Sequence, residues 1–142
     1  MSGEQCEAIS RRVRLFAADV LRRRHKTLIK RGRGLADLDV HRRHRARIAA
    51  KKVRYATELF ASLCPERAVR NYVGALTALQ DDLGWRNDAV VADQLLKALP
   101  RTSPEAASGA AFARGYLASR IAAEHPTLKK LWRRFRRLSP PH

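Results

Sequence analysis

Apolar positions recur along this chain at helical spacing, and polar and apolar residues nowhere alternate long enough to form a strand. The first stripe, Val13, Phe16, Ala17, Val20, Leu21 and Leu28, predicts a helix from about Glu4 to Lys30, ended by the RGRG at 31–34. Arg24 shares a line with Leu21 and Leu28, so its stem is expected to be buried. A second helix starts after Asp37 or Asp39, either of which can cap it, and runs to about Leu63. Pro65 suits the first turn of a third helix, whose stripe is Val69, Tyr72, Val73, Leu76, Leu79 and Leu83 and whose stop is Gly84. Asn87 or Asp88 caps a fourth helix, Asp88 to Leu99. Ser103-Pro104-Glu105 opens a fifth, rich in Ala and Gly, to about Ala123. Pro126 then forces a break before a last helix, LKKLWRRFRRL, closed by Ser139-Pro140-Pro141. The connections are short, which makes neighbouring helices antiparallel. The expected fold is therefore all-α, one domain over residues 1–142: an antiparallel helical bundle of five to six helices, four of them long.

Composition changes this picture in one respect. Of 142 residues, 45% are hydrophobic, enough for a core, but 30 Lys and Arg stand against 13 Asp and Glu, a formal charge of +17. A compact body with that charge repels itself, and the partners that offset it are polyanions: nucleic acid, an anionic membrane or a phosphate polymer. The two cysteines, Cys6 and Cys64, form no ligand pattern with each other or with histidine, so two free thiols in a reducing compartment are expected and no metal. No signal peptide and no membrane span are read in the sequence, which makes the cytoplasm the expected location.

The charge concentrates in VHRRHRARIAAKKVRY, Val40 to Tyr55, which holds seven Lys or Arg and two His and no acid. At helical spacing His44, Arg47, Lys51, Arg54 and Arg43 fall within one arc of about 100°. Beside it lies an apolar arc with Ala46, Ile48, Ala49, Val53, Ala56, Leu59 and Phe60. Arg45 and Lys52 fall inside that apolar arc, so they either snorkel at the bundle edge or line a basic cavity of their own. A solvated helix face ordinarily mixes signs, because Glu four residues before Lys stabilises it. Here no acid occurs between Asp39 and Glu58, and the stacked like charges weaken the helix. That arrangement makes sense if a multivalent anion neutralises it, since Arg forks, Lys point charges and a protonated His44 all donate to phosphate oxygens. The bland alternative is a solvated basic face with no ligand.

The stretch HRARIAAKKVRYATELF, His44 to Phe60, resembles the signature of the conserved histidine α-helical domain, or CHAD, family: His-x-x-Arg-hydrophobic-x-x-Lys-basic-hydrophobic-Arg-Tyr-x-x-Glu. His44, Arg47, Lys51, Lys52, Arg54, Tyr55 and Glu58 match it position by position. LTALQDDLGWRNDAVVADQLL at 76–96 resembles the family's second landmark, a Leu-Gln-Asp-x-Leu-Gly-x-x-Asn-Asp run joining two helices. The resemblance implies half of a double bundle, similar to its C-terminal half, with a basic channel between halves. It also implies inorganic polyphosphate as the ligand, with His44, Arg47, Lys51 and Arg54 as first contacts and Lys52 next. If two copies are needed to rebuild the channel, the chain forms a homodimer. The resemblance would also allow a cytoplasmic location at polyphosphate granules.

Arg23 and Lys30, seven apart on one face of the first helix, are candidates for a second wall of the site, although a basic helix end also complements the helix dipole. Tyr55 is expected to be a core tyrosine and Glu58 to pair with Arg54. Asp81, Asp82 and Asp88 are read as parts of a structural turn. No nucleophile triad, phosphate loop or carboxylate set for a divalent ion is present, so no catalytic residue, cofactor or metal is assigned and the chain is read as a binding protein, not an enzyme. The second choice of ligand is nucleic acid, against which stand the lack of stacking aromatics on the basic face and of a docking motif. A third is an acidic protein partner. No membrane partner is expected.

Overall fold

The computed structural model describes all of residues 1–142 and contains four long helices and no strand. They are α1 (Gly3–Arg31), α2 (Val40–Leu59), α3 (Glu66–Ala98) and α4 (Pro104–Arg136), with single 3-10 turns at Leu35–Asp37 and Ala61–Leu63. The starts follow local chemistry. Gln5 donates its backbone N–H to Ser2 Oγ and accepts the Ser2 N–H on its side chain, a reciprocal cap. Asp39 accepts the Arg42 N–H at 2.8 Å, and Ser103 accepts that of Ala106 with Pro104 in the first turn. Gly32 closes α1 by donating to Leu28 O at 2.8 Å, and Gly34 turns the chain at φ 67, in the left-handed region. No room exists for a side chain at Gly32: a Cβ there would lie under 3.0 Å from three atoms of the Trp132 ring.

Two expected breaks are absent, so the bundle has four helices rather than five to six. Gly84 does not stop α3, and Asn87 and Asp88 lie inside the helix rather than capping a new one. Glycine in a helix costs only about 1 kcal/mol. Against that cost, Leu76, Leu79, Leu83, Arg86 and Ala89 keep one buried face continuous through the site. Pro126 likewise sits inside α4. It removes a single backbone donor, the one that would serve Ala122 O, and both residues are exposed. Next to this gap the Arg86 guanidinium, only 3% exposed, donates to Asp82 Oδ2 at 2.7 Å, to Glu124 O at 2.6 Å and to Ile121 O at 3.5 Å. One buried cation thus ties α3 to carbonyls in the turn that precedes the proline.

Consecutive helices pack antiparallel, and the turn after α1 closes against α4. α2 lies close to its neighbours because Ala46, Ala49 and Ala50 form its buried side with Val53 and Thr57, whose hydroxyl donates to Val53 O at 2.7 Å. Leu28, Leu76, Leu79 and Leu128 fill the centre. Tyr72, Phe135 and Trp132 pack beside them, and His25 shares a 2.6 Å hydrogen bond with the Tyr72 hydroxyl. Burial lowers the pKa of His25 and raises that of Tyr72. Cys6 and Cys64 are free thiols, and burial raises the pKa of Cys64.

The first stripe buries only in part. Ala17, Leu21 and Leu28 are core, but Val13 and Phe16 are exposed, because the first half of α1 extends beyond the bundle. Arg24, expected to bury its stem, is exposed as well. At the opposite end the α3–α4 hairpin overhangs, exposing Leu95, Leu99, Phe112 and Tyr116. No helix is long and apolar enough to cross a membrane.

Candidate polyanion-binding surface

The buried arc of α2, centred on Ala46, Ala50 and Val53, is rotated toward the basic arc by roughly a fifth of a turn relative to the expected apolar arc. Ile48, Tyr55 and Leu59 are consequently exposed, Tyr55 at 61%, so Tyr55 is not the core tyrosine expected from its position. Small residues at 46, 49 and 50 admit α1 and α3 closely. The bulky apolar side chains stay at the surface and form an outer strip with cations along both margins.

On the margin facing α3 stand Arg43, His44, Arg47, Lys51 and Arg54. Arg43, His44 and Arg47 line a dimple with Val40, Leu83, Arg86, Asn87 and Val90 of about 20 Å³. That is room for about one water and for nothing larger. An anion therefore lies across this groove and is not engulfed by it. Gly84 of α3 stands beside Arg47: a Cβ there would lie in ordinary contact with Arg47 Nη2, at 4.0 Å.

Arg54 is the member of this margin held by a carboxylate. Its Nε donates to Glu58 Oε1 at 3.0 Å, the pairing expected from the sequence, and its Nη1 donates to Gln80 Oε1 at 3.2 Å. Arg43, His44, Arg47 and Lys51 have no carboxylate within 4.0 Å. Burial and the nearby Arg86 charge lower the pKa of Arg43, against the weaker pull of Asp39 and Asp82. An arginine still protonated yet disfavoured in this way is stabilised by any anion brought beside it. Arg86 itself was not recognised in the sequence as part of the surface. The one signal was the four-residue spacing from Asp82 to Arg86, read there as a turn.

The remaining sequence candidates stand elsewhere. Lys52 is exposed on the opposite margin of α2. Lys30 lines a different cleft, with Arg31, Arg33, Leu38, Arg42 and Arg45. Arg45 thus lines a basic cavity of its own, one of the two alternatives left open by its position. Arg23 pairs through Nε with Asp19 Oδ2 at 3.1 Å, a carboxylate that also holds Arg22, and lines a shallow recess of α1 with Val20, Arg24 and Thr27. The structure therefore brings His44 and Arg47 together with Lys51 and Arg54 along one margin, and does not bring Arg23, Lys30 or Lys52 to it. No three histidine, cysteine or carboxylate side chains converge as metal ligands.

Comparisons with known proteins agree on what this arrangement is. The family model described as CHAD domain matches residues 3–97, which are α1, α2 and nearly all of α3. The chain is similar to the crystal structure of the CHAD domain from the plant Ricinus communis, at 38% identity and a TM-score of 0.75, over 91% of this chain. It spans 45% of that structure's length. Comparison with curated proteins gives no match. The helices that build the basic groove are the ones both likenesses cover, and on them the chain belongs to the CHAD domain family.

Proposed function

We propose that this chain binds inorganic polyphosphate along the groove between α2 and α3, without turning it over. The observation that carries the reading is the row Arg43, His44, Arg47 and Lys51, half-buried to exposed and lacking carboxylate partners on a helix that has no acid before Glu58. Such a row weakens its own helix and is relieved by a multivalent anion. A shallow groove favours a polymer that lies along it over a small molecule that must be enclosed. CHAD domains are known for polyphosphate binding in general, which supports the same ligand. The exposed Tyr55 ring beside Lys51 and Lys52 gives nucleic acid a foothold as the second reading, since bases stack on such rings.

The test is titration of long-chain polyphosphate into wild type and the R47A/K51A variant at two salt concentrations. Binding should weaken about tenfold or more in the variant, and the salt slope should flatten by roughly two phosphate contacts. Unchanged affinity in the variant overturns the reading. Displacement of the polymer by duplex DNA or RNA at equal phosphate concentration reverses the order of ligands. The proposal extends to assembly and place: two copies associate to form a basic channel between them, in the cytoplasm at sites of polyphosphate accumulation. A strictly monomeric mass by light scattering with binding intact refutes the dimer.

A further inference from the structure

We infer that the cleft at the α1–α2 turn is a second, separate phosphate site, suited to a compact and multiply charged phosphate group. Lys30, Arg31, Arg33, Arg42 and Arg45 line it with Leu38, around about 280 Å³. That space is more than ten times that of the α2–α3 dimple, which has room for about one water. The cleft opens to solvent, and a tetrahedral group entering it meets cations from α1, the turn and α2.

Its charge is almost uncompensated. The carboxylate in reach is Asp39, whose Oδ2 lies 3.6 Å from Arg42 Nε while Oδ1 caps α2. Asp37, the other acid of this connection, is held by His125 of α4 at 2.9 Å. Lys30 and Arg31 lie in the last turn of α1 and offset its negative end. Arg33, Arg42 and Arg45 have no such duty, yet they converge with them. The left-handed turn at Gly34 and the 3-10 turn after it bring Arg33 and Leu38 round to the side of α2 that carries Arg42 and Arg45.

The cleft and the groove are separate places on α2. Arg45 and Arg47 are two residues apart and leave the helix in different directions, with buried Ala46 between them. A polymer that reaches both must cross the exposed outer strip of Ile48 and Tyr55. This site rests on the same phosphate chemistry as the proposed function but on other side chains, so each can fail without the other.

Two sources supply the ligand: the end of a long polyphosphate, or a free short one. Calorimetric titration of the full chain with tripolyphosphate, and separately with long-chain polyphosphate, tells them apart. Tripolyphosphate affinity should fall about tenfold or more in R33Q/R45Q, and stay within about twofold of wild type in R47A/K51A. Both arginines of R33Q/R45Q are exposed, and circular dichroism checks that the helices persist. Weaker long-polymer binding by R33Q/R45Q assigns the cleft to the polymer's end. Loss confined to tripolyphosphate assigns it to a free short phosphate. Tripolyphosphate affinity within about twofold of wild type in R33Q/R45Q, or an equal fall in both variants, overturns the second site. If long-polymer binding is untouched by R47A/K51A while R33Q/R45Q loses tripolyphosphate, the groove reading fails and the cleft stands.

Discussion

Removal of Arg86 should be costly, because its guanidinium is buried, paired and hydrogen-bonded. Its side chain is 3% exposed and that of Asp82, 2.7 Å away, is 11% exposed, so neither charge has water to fall back on. In R86M the Asp82 carboxylate loses its bonded partner and keeps only the weaker pull of Arg43, and the Glu124 and Ile121 carbonyls lose a donor beside the Pro126 gap. Breaking a buried pair from one side costs about 3–5 kcal/mol. Relief of the repulsion between Arg86 and Arg43 returns a fraction of that. With a urea dependence of about 2 kcal/mol/M, the denaturation midpoint should drop by roughly 1.5–2 M. The double variant R86M/D82L removes both charges together, and should recover to within about 1.5 kcal/mol of wild type, because a well-packed apolar replacement of a buried pair is near neutral. The exposed pair Arg70–Glu66, at 4.0 Å, sets the contrast: R70A should shift stability by under about 0.5 kcal/mol. A loss below about 1 kcal/mol in R86M, or a double variant as unstable as the single, refutes the clamp.

P126A should stabilise the protein by about 1–3 kcal/mol, since it restores a donor for Ala122 O at an exposed position; chemical denaturation reads this, and a loss of stability would mean that the proline shapes the packing of Trp132 and Phe135. His25 is held neutral by burial against Tyr72 and Phe135, so its folded pKa lies below its unfolded value of 6.5. The folded state then binds fewer protons: the contribution is full above pH 6.5 and is lost as pH falls through the folded pKa. Denaturation midpoints from pH 7.5 to 5 should decline in wild type and decline less in H25Q, and equal slopes would exclude His25 as the source.

Much of the fold was readable because its signals are local. Asp39 and Ser103-Pro104 mark helix starts by side-chain chemistry that needs nothing distant, and Tyr72, Leu76, Leu79 and Leu83 repeat on one face. Gly84 and Pro126 misled for the same reason. Their cost is local, whereas what outweighs it, the unbroken buried face of α3 and the Arg86 bonds to α4, joins residues some 35 to 38 positions apart in the chain. The charged margin of α2 was readable from spacing alone, and so was the Arg54–Glu58 pair. Which neighbour each margin faces was not. Periodicity places Tyr55, Ile48 and Leu59 with the apolar residues, but only packing shows that α1 and α3 close on Ala46 and Ala50 and leave the larger side chains outside. Lys30 was likewise placed in a single basic site by its charge, whereas the turn at Gly34 gives it to another cleft.

The placement of charge on α2 has a thermodynamic consequence for the whole bundle. α2 is the shortest helix, 20 residues against 29 and 33, and the side it buries is chiefly alanine, with Val53 and Thr57 as its larger members. Alanine buries little area, so α2 gains less from its own side chains than from the leucines its neighbours pack around it. It also carries seven Lys or Arg with no acid from Val40 to Tyr55. A helix held chiefly through alanine thus bears a large uncompensated charge, and it lies between α1 and α3, packed against both. An anion that neutralises its margins strengthens the contacts on both sides of it at once. Ligand that binds only the folded chain stabilises it by RT ln(1 + [L]/Kd), about 2.7 kcal/mol at a hundredfold excess over Kd. On α2 that gain acts on a helix that touches both α1 and α3, which links occupancy of the basic margins directly to cohesion of the bundle.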